Sequence, residues 1–272
     1  MRWRFFVLVA FLCLAACGDD DSDFATRPSE GSSSSVTPLS SSSPKVVEPA
    51  EVTTGTMTDS RDGQTYKTVT IGTQTWMAQN LNYAYTDVPY KRGDYTSDST
   101  SWCYNDDANN CSKYGRLYTW AAAMDSVGIW STNGKGCGYG TTCSPTYPVR
   151  GICPEGWHLP TKAEFETLIT AVGGQLTAGT CGQLTAGKVL KSTSGWNSSG
   201  NGSDAFAFSA LPAGNRDNHG DFNVEGGIAF FWSSTQFNSD YAYYMYLYSG
   251  DDDAYLDNIY KLYGFSVRCL KD

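Results

Sequence analysis

The sequence has only two histidines in 272 residues, His158 and His219. That excludes a histidine-rich metal centre, because such sites draw on clustered imidazoles. Lys and Arg number 19 against 28 Asp and Glu, for a formal charge of −9. A chain this acidic lacks the basic clusters that a phosphate backbone requires, so nucleic acid is not a partner. Charged residues are 17% of the chain, well under the roughly 25% of an average soluble domain. No Cys-x-x-Cys pair occurs, which argues against a zinc ribbon or a dithiol redox motif. The apolar run at 5–16 (FFVLVAFLCLAA) has 12 residues, short of the about 20 that a membrane-spanning helix needs. What the chain has instead is rings. Aromatics are 14% of residues, and all 18 Tyr lie beyond residue 56.

The start of the chain gives an address. Residues 1–4 (MRWR) are basic and the short apolar run follows at once, the pattern of a secretory signal. The run ends Leu14-Ala15-Ala16-Cys17, followed by Gly18. This resembles the lipobox of bacterial lipoproteins, which implies removal of residues 1–16 and a diacylglycerol on the Cys17 sulfur. Lipid chains hold a protein to a membrane at about 0.8 kcal/mol per buried methylene. Asp19-Asp20-Asp21-Ser22-Asp23 comes next and resembles the surface-export signal of bacterial surface lipoproteins. The expected location is therefore the outer membrane, lipid-anchored, at the cell surface. Residues 29–44 hold nine Ser in sixteen, with Pro28, Pro38, Pro44 and Pro49 in and around them. Such a composition cannot bury a core, so 17–56 reads as a lipidated Cys and a disordered tether. Its span is roughly 35 Å on average and roughly 130 Å when pulled straight.

Residues 57–272 read as one α+β domain. Tyr66–Ile71 and Thr73–Ala78 predict two strands around a turn at Gly72. Leu117–Asp125 predicts a short helix. Thr161–Val172 predicts the main helix: Thr161 and Glu164 form a capping box, and Phe165, Leu168, Ile169 and Val172 recur at i, i+3, i+4, i+7. Ala186–Lys191 predicts a helical turn. Ala205–Ala210, Ile228–Thr235, Tyr241–Tyr248 and Gly264–Leu270 predict strands. QLTAG occurs at 175–179 and again at 183–187, a local duplication too short to be a structural repeat.

Seven cysteines remain after Cys13 leaves with the signal and Cys17 takes lipid. An exported domain sits where disulfides form. Cys181 lies inside the duplication and is taken as unpaired. The other six allow 15 pairings. Two short loops favour Cys103–Cys111 and Cys137–Cys143, which leaves Cys153–Cys269.

Several runs in this domain are recognisable. They are DSRDGQTYKTVTIGTQTWMAQNLNY (59–83), WCYND (102–106), YGRLYTWAAAM (114–124), RGICPEGWHLPT (150–161), FWSST (231–235) and GFSVRCLKD (264–272). In order and spacing they resemble the Fibrobacter succinogenes major paralogous domain, a large set of exported proteins. More distantly, the same residues are similar to the C-type lectin-like fold. That resemblance implies a disulfide-stabilised α+β domain with two main helices, antiparallel strands, paired terminal strands and a binding face built from long irregular loops. Calcium-dependent lectins carry Glu-Pro-Asn or Gln-Pro-Asp and then Trp-Asn-Asp. Here Trp232 is followed by Ser233-Ser234, so no metal ligand is assigned. Asn215–Asp221 and Asp251-Asp252-Asp253 are rich enough in oxygen to leave calcium open.

No catalytic residue is assigned either. Formylglycine-generating enzymes, which share the fold, need a late cysteine pair that this chain lacks. A glycosidase needs two opposed carboxylates, and nothing selects a pair among Glu155, Glu164, Glu166 and Glu225. His158 reads as structural. The late segment carries the functional hint. Tyr is suited to binding faces because it offers area, stiffness and a hydroxyl. Carried over from the fold, the expected ligand residues are Trp232, Tyr244, Tyr246, Asp251, Asp252, Asp253, Tyr255 and Asn258. The expected role is a surface-anchored, non-catalytic binding or adhesion module without a cofactor. Its partners would be the membrane, through the lipid, and a polysaccharide or cell-surface protein. The alternative is an envelope assembly protein that binds another protein, and a hydrolase comes last.

Overall fold

The computed structural model describes residues 48–92, 95–174, 182–183 and 186–272. The signal segment, the lipidated Cys17, the tether up to residue 47 and Cys181 lie outside the described residues. Strand β1 spans Thr53–Thr58, β2 Thr65–Ile71 and β3 Gln74–Met77. Then come β4 (Thr86–Arg92), β5 (Tyr95–Ser99), β6 (Ser101–Trp102), α1 (Ala108–Tyr114), β7 (Leu117–Tyr118) and α2 (Trp120–Ala123). The middle holds β8 (Trp157–His158), α3 (Lys162–Ala171), β9 (Gly182–Gln183) and α4 (Ala186–Leu190). The last third holds β10 (Asn215–Arg216), β11 (Phe222–Asn223), β12 (Ile228–Gln236), β13 (Tyr241–Tyr248), β14 (Ala254–Tyr260) and β15 (Leu270–Lys271). The domain is α+β, with strands in the majority.

Two antiparallel sheets carry it, one in the order β1-β2-β3-β15-β8 and the other β12-β13-β14-β9. The first joins the two ends of the domain. Leu270 of β15 pairs with Trp76 of β3 on one side and with His158 of β8 on the other. The Cys153–Cys269 disulfide locks that junction, and Cys103–Cys111 and Cys137–Cys143 close the two short loops. These are the pairings that the short loops favour. Helix α3 starts as its sequence predicts. The Thr161 hydroxyl accepts from the Glu164 N–H at 3.2 Å, and Glu164 Oε2 accepts from the Thr161 N–H at 2.7 Å. Phe165, Leu168 and Ile169 are fully buried beneath it.

Strand β13 divides two cores. Met245 and Leu247 enter one with Trp76, Phe165, Phe208 and Phe231. Ala242 and Tyr244 enter the other with Trp120, Trp232 and Phe265. One face is therefore covered at one end of the strand, and the opposite face at the other end.

The structure corrects four of the expected boundaries. The tether was expected to end at 56, but β1 begins at Thr53 and pairs with β2 from Thr53↔Thr70 to Thr58↔Thr65. Its composition, TTGTMT, has no apolar alternation to announce a strand. The helix expected over Leu117–Asp125 opens as strand β7 and is helical only over Trp120–Ala123. Ala205–Ala210 is not a strand. Phe206 and Phe208 do point inward, but Asp204, Ala207 and Ser209 have φ of +49°, +53° and +53°, which breaks an extended chain. Gly264–Leu270 is a strand only at its end. It threads between the sheets and changes partner as it goes, bridging Arg216, Tyr118 and Phe231 in turn. Helix α1, the β4–β5 hairpin and strand β14 are among the elements that were not expected.

Among the described residues three cations lie fully inside, each held mainly by carbonyl or amide oxygens. Arg268 donates to Asn80 Oδ1 at 2.8 Å, to the Phe208 carbonyl and to the Ser209 carbonyl at 2.8 Å, with the Phe208 ring 4.4 Å from its guanidinium. Burial pulls its pKa down to about 9, against a weaker opposing pull from Asp204. The other two are Lys191 and Lys261, which shape the surfaces described next.

Candidate functional site

The late sheet positions every ligand residue expected from sequence, but not on one surface. Directly paired residues share a face. Tyr246 pairs with Phe230 and with Tyr255, so these three rings line one face across three strands. Tyr246 and Tyr255 stack with centroids 4.6 Å apart and planes 11° from parallel, and Phe230 lies 6.2 Å from Tyr246. All three are half-buried. Trp232 and Tyr244 share the face but not the exposure. Trp232 is fully buried and donates its indole N–H to the Tyr118 carbonyl at 2.8 Å. Tyr244 packs 5.1 Å from Phe265. Both belong to the core, because Trp120, Phe265 and Trp232 fill the space beneath this end of the sheet. Asn258 pairs with Tyr243 and so looks out from the opposite face.

The acidic loop after β13 is organised by its own protein. Asp251 Oδ1 accepts from the Asp253 N–H at 3.1 Å, and Asp251 Oδ2 accepts from the Tyr255 hydroxyl at 2.9 Å. Burial and that hydrogen bond push the Tyr255 hydroxyl well above its ordinary pKa, so it stays protonated and donates. Beneath the loop lies Lys191, with no exposed surface. Its ammonium donates to the Asp251 carbonyl at 2.6 Å and the Tyr248 carbonyl at 3.1 Å, with Asp252 Oδ1 3.8 Å away. Two carbonyls and a carboxylate are the donors that calcium takes. Here an ammonium stands among them. Helix α4 seats the loop from the other side: the Lys188 N–H donates to the Asp252 carbonyl at 3.1 Å. A Cβ at Gly187 would come within 2.1 Å of the Asp253 carbonyl oxygen, so the approach requires glycine. In the second oxygen-rich stretch, Asp217 Oδ1 accepts from the N–H groups of His219 and Asp221 at 2.8 and 3.0 Å. It shapes the β10–β11 turn.

The other end of the sheet carries rings that the sequence reading passed over. Helix α3 covers the Met245 and Leu247 end of the β13 face and stops at Lys162, whose ammonium sits 5.4 Å from the Tyr243 ring. Beyond it the same face continues in the open. Tyr241 and Tyr260 lie 4.3 Å apart, Tyr139 is 6.3 Å from Tyr260, and Phe237 meets Tyr243 edge-on at 5.7 Å. The FWSST run supplies part of this geometry. Trp232 pairs with Tyr244 but Gln236 pairs with Ala242, so Ser233–Thr235 form a bulge that re-aims the strand. Gln236 then donates to the Cys143 carbonyl at 2.7 Å. Lys261, 1% exposed, holds the two sides together. Its ammonium donates to the carbonyls of Gly138, Thr141 and Ser239 at 3.2, 3.0 and 2.9 Å, over the Trp120 ring at 4.5 Å. Burial lowers its pKa to about 8. The visible signal lay in Tyr241–Tyr248, where the two-residue period of a strand puts Tyr241 and Tyr243 on one face and Tyr244, Tyr246 and Tyr248 on the other.

Of the other titratable groups singled out from the sequence, His158, Glu164, Glu166 and Glu225 are engaged in structure. His158 places Nδ1 2.7 Å from Asp272 Oδ1 and Nε2 3.0 Å from Glu164 Oε1. Burial opposes its charge, but hydrogen bonds to Glu164 and Asp272 outweigh it and raise the pKa. Glu166 pairs with Lys162, and Glu225 accepts from the Tyr114 hydroxyl at 2.9 Å. Among the described residues no group of three His, Cys, Asp or Glu side chains is placed to hold a metal ion. A groove of about 530 Å³ runs beside β1 and β2, lined by Thr54, Thr56, Lys67 and Ser209. Among the described residues Lys67 is its one titratable side chain.

The family model for the Fibrobacter succinogenes major domain matches residues 69–271, from the middle of β2 to the end of β15. No curated protein and no solved structure matches the chain.

Proposed function

The chain belongs to the Fibrobacter succinogenes major domain family, and from that premise we propose that it is a non-catalytic binding module. Its ligand is a carbohydrate or another cell-surface polymer, and its fold is of the C-type lectin-like kind. The lipobox at Cys17 anchors it to the outer membrane, and the Ser-rich tether lets it clear the surface. The support for the fold is the joining of the two ends of the domain in one sheet, closed by Cys153–Cys269, with long irregular loops above.

The observation that carries the binding reading is the stacked Tyr246–Tyr255 pair, half-open beside the ordered acidic loop. A flat, stiff, hydroxyl-edged surface suits a sugar ring, which presents an apolar face and polar rims. The carboxylates of Asp251 and Asp253 are held at that rim by the Tyr255 hydroxyl, ready to accept from ligand hydroxyls. Because Lys191 already sits among the loop carbonyls, binding does not depend on calcium.

The test is retention of the full-length chain on insoluble cellulose, xylan and the cell wall of the producing organism, with calcium and with chelator. Saturable retention that survives chelator and is lost in Tyr255→Ala is the expected result. Retention that requires calcium, or none on any matrix, overturns the reading.

A further inference from the structure

We propose that the open end of the β12–β13 hairpin, together with the Cys137–Cys143 loop, is a second glycan-binding platform that takes neutral sugar rings by stacking. This rests on the reading of the domain as a glycan binder. It names a surface on the opposite face and at the opposite end of β13 from the Tyr246–Tyr255 pair.

The first argument is exposure. Of the eight large apolar or aromatic side chains that stand out among the described residues, three gather here: Phe237 at 54%, Tyr139 at 42% and Tyr260 at 37% exposed. Tyr241 and Tyr243 join them at the ring distances given above. Scattered exposed rings are ordinary, whereas a contiguous set marks an interaction surface.

The second argument is that the platform is built. Tyr139 sits inside a loop closed by a disulfide of sequence separation 6. Gly138, just before it, and Thr141, two residues after it, give their carbonyls to the buried Lys261 ammonium, and Tyr260 immediately precedes that lysine. Phe237 follows Gln236, which is hydrogen-bonded to Cys143 in both directions, at 2.7 and 3.3 Å. Rings held in place this way lose little freedom on binding, so more of the contact energy shows as affinity. A buried ammonium facing four oxygens, the fourth being Gln236 Oε1 at 3.3 Å, is costly to install, and what it positions is this set of rings.

The third argument concerns the occupant. The hydroxyl of Tyr241 is pushed up to about 12 by its hydrogen bond with Tyr260, so that hydroxyl stays protonated at physiological pH. Residues 57–272 carry 15 Lys and Arg against 21 Asp and Glu, so the domain repels acidic polymers. Asp240 sits at the hairpin tip itself, and its carbonyl accepts from the Lys261 N–H at 2.9 Å. Neutral donors, flat apolar faces and a negative field select a neutral glycan over an acidic one.

The experiment measures binding isotherms of the full-length chain on cellulose, xylan, mannan and polygalacturonate. It compares the wild type with F237A/Y260A, with Tyr260→Phe and with Tyr255→Ala. Far-UV circular dichroism and the melting temperature check that each variant folds. The expected result is that F237A/Y260A loses at least tenfold in affinity for a neutral glycan while Tyr260→Phe retains most of it. Polygalacturonate is bound at least tenfold more weakly than the best neutral glycan. If F237A/Y260A binds like the wild type while Tyr255→Ala does not, the platform is refuted and the binding reading survives. If the wild type binds none of the four, both fall.

Discussion

Removing the Cys153–Cys269 disulfide offers the sharpest quantitative test of how this domain is held together. Sequence separations are 116 for this bridge, 8 for Cys103–Cys111 and 6 for Cys137–Cys143. The chain-entropy relation converts these to about 4.8, 2.5 and 2.2 kcal/mol at 25 °C. The long bridge joins two fully buried sulfurs beside β15, and each Cys→Ala change removes a single heavy atom, so the entropic term dominates. Domains of this kind are stable by about 5–15 kcal/mol, so its loss alone removes from about a third to nearly all of that margin. The assay is urea unfolding of three double variants, C153A/C269A, C103A/C111A and C137A/C143A. The readout is the fluorescence of the buried Trp76, Trp120 and Trp232. With m-values of about 1–3 kcal/mol/M, C153A/C269A moves the midpoint down by about 1.6–5 M, and each short-loop variant by about half of that. Equal shifts in all three, or a smaller one for the long loop, would show that loop closure is not what these bridges contribute.

The remaining predictions concern the buried charges. His158 has a raised pKa in the folded protein, so its contribution is fully present below the unfolded value of about 6.5 and is lost as pH rises through the folded value. Glu164 has a lowered pKa, mainly because its bond to His158 and its helix-capping bonds overcome burial, so its contribution disappears as pH falls below about 4.5. Melting temperature should therefore fall with rising pH above about 6.5, and His158→Gln should flatten that slope; parallel profiles for variant and wild type refute the pairing. Lys191→Met should cost about 2 kcal/mol, since it leaves the Asp251 and Tyr248 carbonyls without their donor. Adding calcium to the wild type should leave the melting temperature unchanged, and a clear rise would mean that the ammonium does not fill the cation position. Arg268→Met should cost about 3 kcal/mol or more by orphaning three buried acceptors, and a loss under about 1 kcal/mol in chemical denaturation would contradict that.

Where the local pattern and the final environment agree, the sequence was readable. The β2–β3 hairpin around Gly72, the capping box at Thr161 and Glu164 and the buried stripe of α3 all follow from interactions a few residues apart. The three disulfides were legible for the same reason, two through short loops and the third as the pair left over. The candidate site was half legible. Tyr246, Tyr255 and the acidic loop were singled out and do come together. Trp232 and Tyr244 were singled out too, and lie in the core.

What failed to show depends on contacts distant in sequence. Which end of each β13 face is covered is decided by where α3 stops and where Trp120 and Phe265 pack, neither of which β13 encodes. The open platform joins Tyr139 to Tyr260 across a bulge and a disulfide loop, so no window of residues contains it. Lys191, Lys261 and Arg268 look like ordinary surface cations in a list of letters. Only the folded chain brings carbonyls from remote loops onto their charges, and that enclosure turns them from solvated side chains into pins that hold those loops in place. The sequence by itself therefore determined the local elements, the crosslinks and the aromatic, acidic character of the domain. Tertiary structure decided which rings face solvent, because exposure is set by what packs on top, and that comes from elsewhere in the chain.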